Sequence, residues 1–271
     1  MRNMFDLNNK VVVVTGALGQ LGNQYSKVLS GYGAKIAALD IIPENSDKVN
    51  EFLSHIGNKS AIYLKTDIVD RSQIESALDK IVKSWDVPSV LINNAALDSP
   101  PSAPPEENGP FENYPEASLD KVIDVNLKGV IYACQVFGNA MAQEKRGSII
   151  NISSIYGMVS PNQSIYEYRR SKGDVFFKPV AYAVSKSGIY NLTRYLATYW
   201  AKDNVRVNTL TLAGVFNNQD PRFLEEYCRH IPIGRMAKED EYNGAVIFLA
   251  SDASAYMTGS NMVIDGGWTA W

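Results

Sequence analysis

Val11-Val12-Val13-Val14-Thr15-Gly16-Ala17-Leu18-Gly19-Gln20-Leu21-Gly22 is the stretch from which the rest of the chain is read. Four consecutive β-branched residues show no polar alternation, so the strand they form has no wet face. Runs of this kind belong to parallel strands covered by helices on both sides. A glycine-rich turn follows at once, and from Leu21 to about Tyr32 apolar residues recur at helical spacing. Strand, tight turn and helix in immediate succession form the first half of a β-α-β unit.

The pattern repeats downstream. Further strands are predicted at 35–39, 61–64, 90–92, 148–152, 205–210 and 261–264. Helices are predicted at 74–81 and 119–141, the latter from the recurrence of Leu119, Val122, Ile123, Leu127, Val130, Cys134, Phe137 and Met141. Repeated units with right-handed crossovers give an α/β, doubly wound parallel sheet of about seven strands with helices on both faces. One domain over 1–271 is expected. Two segments break the rhythm and read as loop insertions: 98–115, with six prolines, and 160–179, which is polar, aromatic and locally basic. Loops of that length in a compact domain commonly carry function.

Composition narrows the function classes. The 271 residues are 45% hydrophobic and 20% charged, the balance of an ordinary globular protein. The net charge of −3 argues against nucleic acid or an anionic membrane as the main partner. Two cysteines, Cys134 and Cys228, are too few for a disulfide framework and suit a reducing compartment, so a cytoplasmic location is expected. His55 and His230 lack metal-ligand spacing, and no metal is expected. No apolar run approaches the roughly 20 residues of a membrane span, and the opening MRNMFDLNNK lacks the apolar core of a secretory signal.

The glycine turn carries the first chemistry. Gly16 permits the tight turn, Gly19 a close approach of backbone to pyrophosphate, and Gly22 close packing of helix on strand. The helix N-terminus then offers unpaired N–H donors to phosphates. Asp40 ends the next predicted strand, where a carboxylate accepts ribose hydroxyls and repels a 2′-phosphate. The turn holds no Arg or Lys to bind that phosphate. NAD(H) is therefore expected over NADP(H). The competing use of these residues is a plain glycine turn followed by a capping Asp.

Five further motifs follow in order: Asn93-Asn94-Ala95, Asn126 in Asn-Leu-Lys-Gly, Ser153-Ser154, Tyr182-Ala-Val-Ser-Lys186, and Gly266-Gly267 after Asp265. With the glycine turn, the set resembles the short-chain dehydrogenase/reductase family over nearly the whole chain. The resemblance implies a Rossmann-type domain that moves a hydride between a nicotinamide and an alcohol or carbonyl. It implies Tyr182 as catalytic acid/base, Lys186 as its partner, Ser154 as donor to the substrate oxygen and Asn126 as the water-holding residue. It implies cofactor binding by Gly16, Leu18, Gly19, Gln20, Leu21, Gly22, Asp40, Ile41, Asp67, Ile68, Asn94, Ala95, Ala96, Tyr182, Lys186, Ala213, Gly214, Val215 and Phe216. Asp67 has a competing use as a helix N-cap.

Physical chemistry supports these roles. A free phenol titrates near 10, and lowering that by about three units takes roughly 4 kcal/mol of preference for phenolate. Lys186 is four residues beyond Tyr182, so both side chains share one helix face. Its ammonium, with the positive nicotinamide of NAD+, is expected to supply that preference. Tyr168-Arg-Arg-Ser-Lys172 fits the same spacing, but Gly173-Asp174 interrupts any helix there, whereas Ile189, Leu192, Leu196, Tyr199 and Trp200 continue an apolar stripe after Lys186.

Departures from the family pattern fall mainly in the turns. Gln20 stands where the middle glycine is usual, with Gly19 one place earlier, a spacing typical of the family's longer sugar-nucleotide branch. Only 85 residues follow Lys186, which suits the short branch. Ala96 follows Asn-Asn-Ala where glycine is common, Ala213-Gly214 replaces Pro-Gly, and Asn218 replaces a threonine.

The 160–179 segment, with Arg169, Arg170, Lys172, Lys178 and several aromatic rings, suits a polar sugar or sugar derivative. The stretch from Ser153 through that insertion is similar to family members of surface-polysaccharide sugar pathways. The competing readings are a keto-acyl or general alcohol reductase, a sugar-nucleotide epimerase and a non-catalytic NAD-binding regulator. Tyr190, Tyr195, Tyr199 and Trp200 are spread around the helix that follows Tyr182, and the resemblance implies a homodimer or homotetramer through that helix and the end Trp268–Trp271.

Overall fold

The computed structural model describes residues 3–57, 60–98 and 104–271. Part of the predicted 98–115 insertion, residues 99–103, lies outside them. Seven strands form one sheet in the order β3-β2-β1-β4-β5-β6-β7, every neighbouring pair parallel. They are β1 (Val11–Thr15), β2 (Lys35–Asp40), β3 (Ala61–Lys65), β4 (Val90–Asn93), β5 (Gly147–Ser154), β6 (Val205–Leu212) and β7 (Asn261–Ile264).

The helices are α1 (Gln20–Gly31), α2 (Asp47–Ile56), α3 (Arg71–Ser84), α4 (116–143), α5 (Ile155–Met158), α6 (Glu167–Arg170), α7 (Val180–Tyr199), α8 (Pro221–Cys228) and α9 (Asn243–Ala250). The valine run divides as its unbroken apolar character requires. Val12 and Val14 join one core with Ile36, Ile92, Ile150 and Leu210; Val11 and Val13 join the other with Leu39, Leu91, Ile149 and Val207. Each buried valine contributes about 1.5–3 kcal/mol.

Two features of α4 differ from the simple helical pattern. It passes through π-helical turns at Asp124–Gly129 and Cys134–Gly138. Turns of this kind re-aim side chains inside a helix and are frequent at functional sites; the first contains Asn126. Leu119 is exposed, because the apolar stripe of α4 rotates away from the core at its N-terminal end.

The sheet order reverses between β1 and β4, so a crevice opens beyond their carboxyl ends. A third apolar cluster caps that end of the sheet. Ile155, Tyr156, Ile165, Tyr166, Phe176, Tyr227, Ile231 and Trp268 pack together there. The 160–179 segment is therefore a folded cover: a 3-10 turn at Gln163–Tyr166, helix α6, and an Arg170 guanidinium bonded to the carbonyls of Phe176 at 2.8 Å and Gln163 at 2.7 Å. Phe177 N–H donates to Asn108 O at 2.7 Å and joins this cover to the proline-rich segment.

Candidate active site

A cavity of about 930 Å³ lies beyond the carboxyl ends of the strands, within the size range of small-molecule and cofactor sites. Leu21, Asn94 and Ala96 line it near the glycine turn, Ser154, Tyr182 and Lys186 line its middle, and Ala213, Gly214 and Val215 line another wall.

The glycine turn is built to leave backbone bare. Gly16 has φ +62°, and a Cβ there would lie 2.8 Å from Ala95 Cα. A Cβ on Gly22 would lie 2.2 Å from Gly16 O. No side chain caps α1, whose N-cap is Gly19. Asp40 joins the turn directly: its carboxylate accepts from Leu18 N–H at 2.9 Å and Ile41 N–H at 2.8 Å. A carboxylate has about four acceptor positions, so these bonds orient it and leave capacity for hydroxyl donors. Asn94 ties β4 to the turn through Thr15 O and Gly16 O, both at 3.1 Å, and Thr15 Oγ1 accepts from the N–H groups of Asn94 and Ala95. An uncapped helix start, a cradle without Cβ atoms and a carboxylate at the end of β2 fit the pyrophosphate and ribose of a dinucleotide.

The remaining predicted cofactor positions surround this turn. Gln20 donates to Phe216 O at 3.1 Å, and Phe216 N–H is bonded to Ala237 O. The Ile41 side chain is exposed and Ile68 is buried. Asp67 is not a helix cap: its carboxylate accepts from Val69 N–H, while Asp70 caps α3 at Ser72 and Gln73.

The Ser154, Tyr182 and Lys186 side chains meet where β5 runs into α5 and α7 crosses above. Gly157 lets these elements touch, since a Cβ there would lie 2.7 Å from Lys186 O. Ser153 Oγ donates to Lys186 O at 3.0 Å. Lys186 Nζ donates to Ile152 O at 2.9 Å and sits 5.8 Å from the Tyr182 ring centroid. Ser154 Oγ accepts from Tyr156 N–H at 3.2 Å, and Ser154 lines the cavity together with Tyr182. Tyr190, one of the aromatic residues spread around α7, turns inward. It donates to Ser154 O at 3.0 Å and pairs with Thr211 Oγ1 at 2.9 Å. Four residues beyond Lys186, it continues the same helix face, a spacing visible in the sequence.

Electrostatics at this cluster follow from its burial. Burial pushes the Tyr182 phenol above its ordinary value; the nearby Asp98 charge adds to this, and the Ser154 hydroxyl works against it. Burial pulls Lys186 down to about 8, partly offset by Asp98. Burial and the Asp98 charge thus hold the phenol protonated at neutral pH in the protein without cofactor.

Asn126 is fully buried, and its amide is bonded to backbone, as a buried amide requires. Its Oδ1 accepts from Leu97 N–H at 2.7 Å, and its Nδ2 donates to Leu97 O at 2.8 Å and Ser185 Oγ at 3.2 Å. Both amide hydrogens are committed, so the side chain clamps the segment after β4. Tyr168 and Lys172 of the alternative Tyr-x-x-x-Lys also line the cavity, with the Arg222 guanidinium 4.9 Å from the Tyr168 ring. Asp98, Gln163 and Tyr227 are cavity or clamp residues with no sequence motif; only Asp98 had a signal, a carboxylate just past the end of a central strand.

Comparison with known proteins agrees with this architecture. A family model described as enoyl-(acyl carrier protein) reductase matches residues 16–269. A 3-oxoacyl-[acyl-carrier-protein] reductase of Thermotoga maritima is 32% identical, over 96% of this chain and 98% of that protein. A ribulose-forming D-arabinitol 2-dehydrogenase of Candida tropicalis is 33% identical, over 98% of this chain and 95% of that protein. A short-chain dehydrogenase of Leptospira borgpetersenii, solved with bound NAD+, superposes with a TM-score of 0.85 at 30% identity, covering 99% of this chain and 96% of that one. The sheet order, the glycine turn and the extent of these matches lead to one assignment: the chain belongs to the short-chain dehydrogenase/reductase family.

Proposed function

We propose that the protein is an NAD(H)-dependent oxidoreductase that interconverts a secondary alcohol and a carbonyl on a sugar or sugar alcohol. The carrying observation is one cavity that runs from Leu21 and Asn94, beside the glycine turn, to the Ser154, Tyr182 and Lys186 cluster. The D-arabinitol relative supports a polyol substrate. Asp40 supports NAD(H), since its charge opposes a 2′-phosphate and no cation stands in the turn or in the residues just after Asp40.

The residues divide the work by position. Ser154 Oγ holds the substrate oxygen beside the phenol and steadies it as its charge changes. Tyr182 Oη gives a proton to that oxygen when a carbonyl is reduced. In oxidation it takes the hydroxyl proton. Bound NAD+ supplies the hydride acceptor and a positive charge that favours phenolate. Lys186, held on Ile152 O, adds its ammonium below the ring, and Tyr190 fixes the backbone of Ser154. The Tyr195 and Tyr199 rings, exposed and stacked at 5.9 Å on the outer face of α7, support a homo-oligomer through that helix.

Absorbance at 340 nm tests the reading, with NAD+ and NADP+ offered beside sugar alcohols, sugar phosphates, nucleotide sugars, simple alcohols and ketones. Reduction of NAD+ by a polyol is the expected result. Sugar isomerisation with no net cofactor reduction would replace it with the epimerase reading, and a preference for NADP+ would overturn the Asp40 argument.

A further inference from the structure

The substrate side of the cavity holds an ion pair that the hydride transfer does not use. Lys178 Nζ is bonded to Asp98 Oδ1, and both residues line the cavity. The lysine side chain is 7% exposed and the aspartate 55%. The ammonium lies 5.2 Å from the Tyr182 ring centroid, on the wall beside the reacting oxygen.

Both partners are held by side-chain amides. Gln163 Oε1 accepts from Lys178 N–H at 2.8 Å, and its Nε2 donates to Lys178 O at 3.0 Å. Asn126 makes the same two-sided clamp on Leu97, the residue before Asp98. One clamp comes from the 160–179 cover and the other from the π-helical turn of α4. Stability is a poor reason for such a construction, because an ion pair with one partner more than half exposed contributes little. Recognition is a better one. An ammonium offers only donors and a carboxylate only acceptors, while a hydroxyl is both. A clamped donor–acceptor pair is therefore complementary to a hydroxyl group.

We propose that the Lys178–Asp98 pair determines substrate specificity by reading a second hydroxyl close to the reacting carbon, so that the substrates are diols and polyols and not monohydric alcohols or acyl ketones. This rests on the oxidoreductase reading above. A site built to hydrogen-bond a substrate hydroxyl rejects the analogue lacking it by roughly 10⁴–10⁵-fold, whereas an apolar pocket separates such analogues by only about 10–200-fold.

The test compares kcat/KM for a tetritol, butane-2,3-diol and butan-2-ol in the wild type and in the double variant Lys178→Met with Asp98→Leu. The variant removes both charges together and leaves no buried ion unpaired. NADH affinity and Tm are measured on the same samples to confirm folding. The wild type is expected to prefer the hydroxyl-rich substrates by at least roughly 10³-fold, and the variant to lose most of that ratio while still binding NADH. An unchanged ratio, or equal losses on all three substrates with a shifted pH profile, would overturn the proposal and leave the pair as a modulator of Tyr182. If the wild type oxidised none of the three, while reducing acyl ketones or isomerising sugars, the underlying reading and this inference would fail together. Preference for butan-2-ol in the wild type would sink this inference alone.

Discussion

Replacing Gly22 by alanine places a methyl group in the tightest space of the glycine turn. The new Cβ would lie 2.2 Å from Gly16 O, 2.8 Å from Ala17 Cα and 2.9 Å from Gly16 C. All three are backbone atoms, so no side chain can rotate away. Against ordinary contact at about 3.4 Å, the first distance is short by roughly 1.2 Å, and α1 must move off the turn by a comparable amount. Overpacking on this scale costs about 1–3 kcal/mol, or roughly 2–4 °C in Tm for each kcal/mol in a chain of this size. The larger effect falls on the cofactor. Displacing one backbone N–H from a pyrophosphate oxygen removes a charge-assisted bond, which weakens binding by roughly 10- to 100-fold. Gly31→Ala is the control, because nothing lies within 4 Å of a Cβ at the other end of the same helix. NADH titration by fluorescence and a thermal melt on both variants give the two numbers. Gly31→Ala should bind NADH as the wild type does. A Gly22→Ala protein with wild-type NADH affinity would refute the claim that the turn cradles the dinucleotide.

Three further outcomes are expected. Asp265 sits below the usual carboxyl range: burial raises it, but bonds from Thr269 and Gly267 outweigh that. Its contribution to stability is therefore present above the usual value of 3.8 and is lost as pH falls through the lower folded value. Asp265→Asn should cost about 1–3 kcal/mol at neutral pH and flatten the acid limb of a urea-unfolding series; an unaltered acid limb would contradict this. Asp40→Asn removes the charge that opposes a 2′-phosphate, so the ratio of NADPH to NADH affinity should rise by roughly tenfold or more in parallel titrations, and no change would contradict the assignment. Cys134 is buried and its thiol is pushed up to about 12, so a thiol reagent near pH 8 should reach it only on unfolding, with Cys228 labelled first.

How much of this was legible in the sequence depends on where burial comes from. The valine run announces its own burial, because four apolar residues in a strand cannot all avoid one face, and the sheet follows from repeating that pattern. Gly16, Gly22 and the spacing of Tyr182 and Lys186 are equally visible, since they depend on neighbours close in sequence. The phenol's electrostatics were not. Tyr182 is raised by its burial and by the Asp98 charge, and Asp98 comes from a part of the chain that the spacing around Lys186 does not bring into view. Asn126 was visible as a polar residue in an apolar helix, but its clamp on Leu97 depends on a π-helical turn that residue spacing does not reveal. Asp67 and Asp70 are indistinguishable as caps in the sequence, and only the helix start at Arg71 separates them. Lys178 read as one of four cations in a segment suited to a polar sugar, and its own burial depends on Gln163 and Asp98, whose contacts the sequence does not show.

The central claim, that the phenol at 182 moves the proton while the rest of the site holds cofactor and substrate, is tested most directly by Tyr182→Phe. Its ring keeps the packing and loses only the hydroxyl. The account predicts NADH binding equal to wild type and a fall in kcat of roughly 10²–10⁴-fold with a polyol substrate. Full turnover by a correctly folded Tyr182→Phe protein would contradict it.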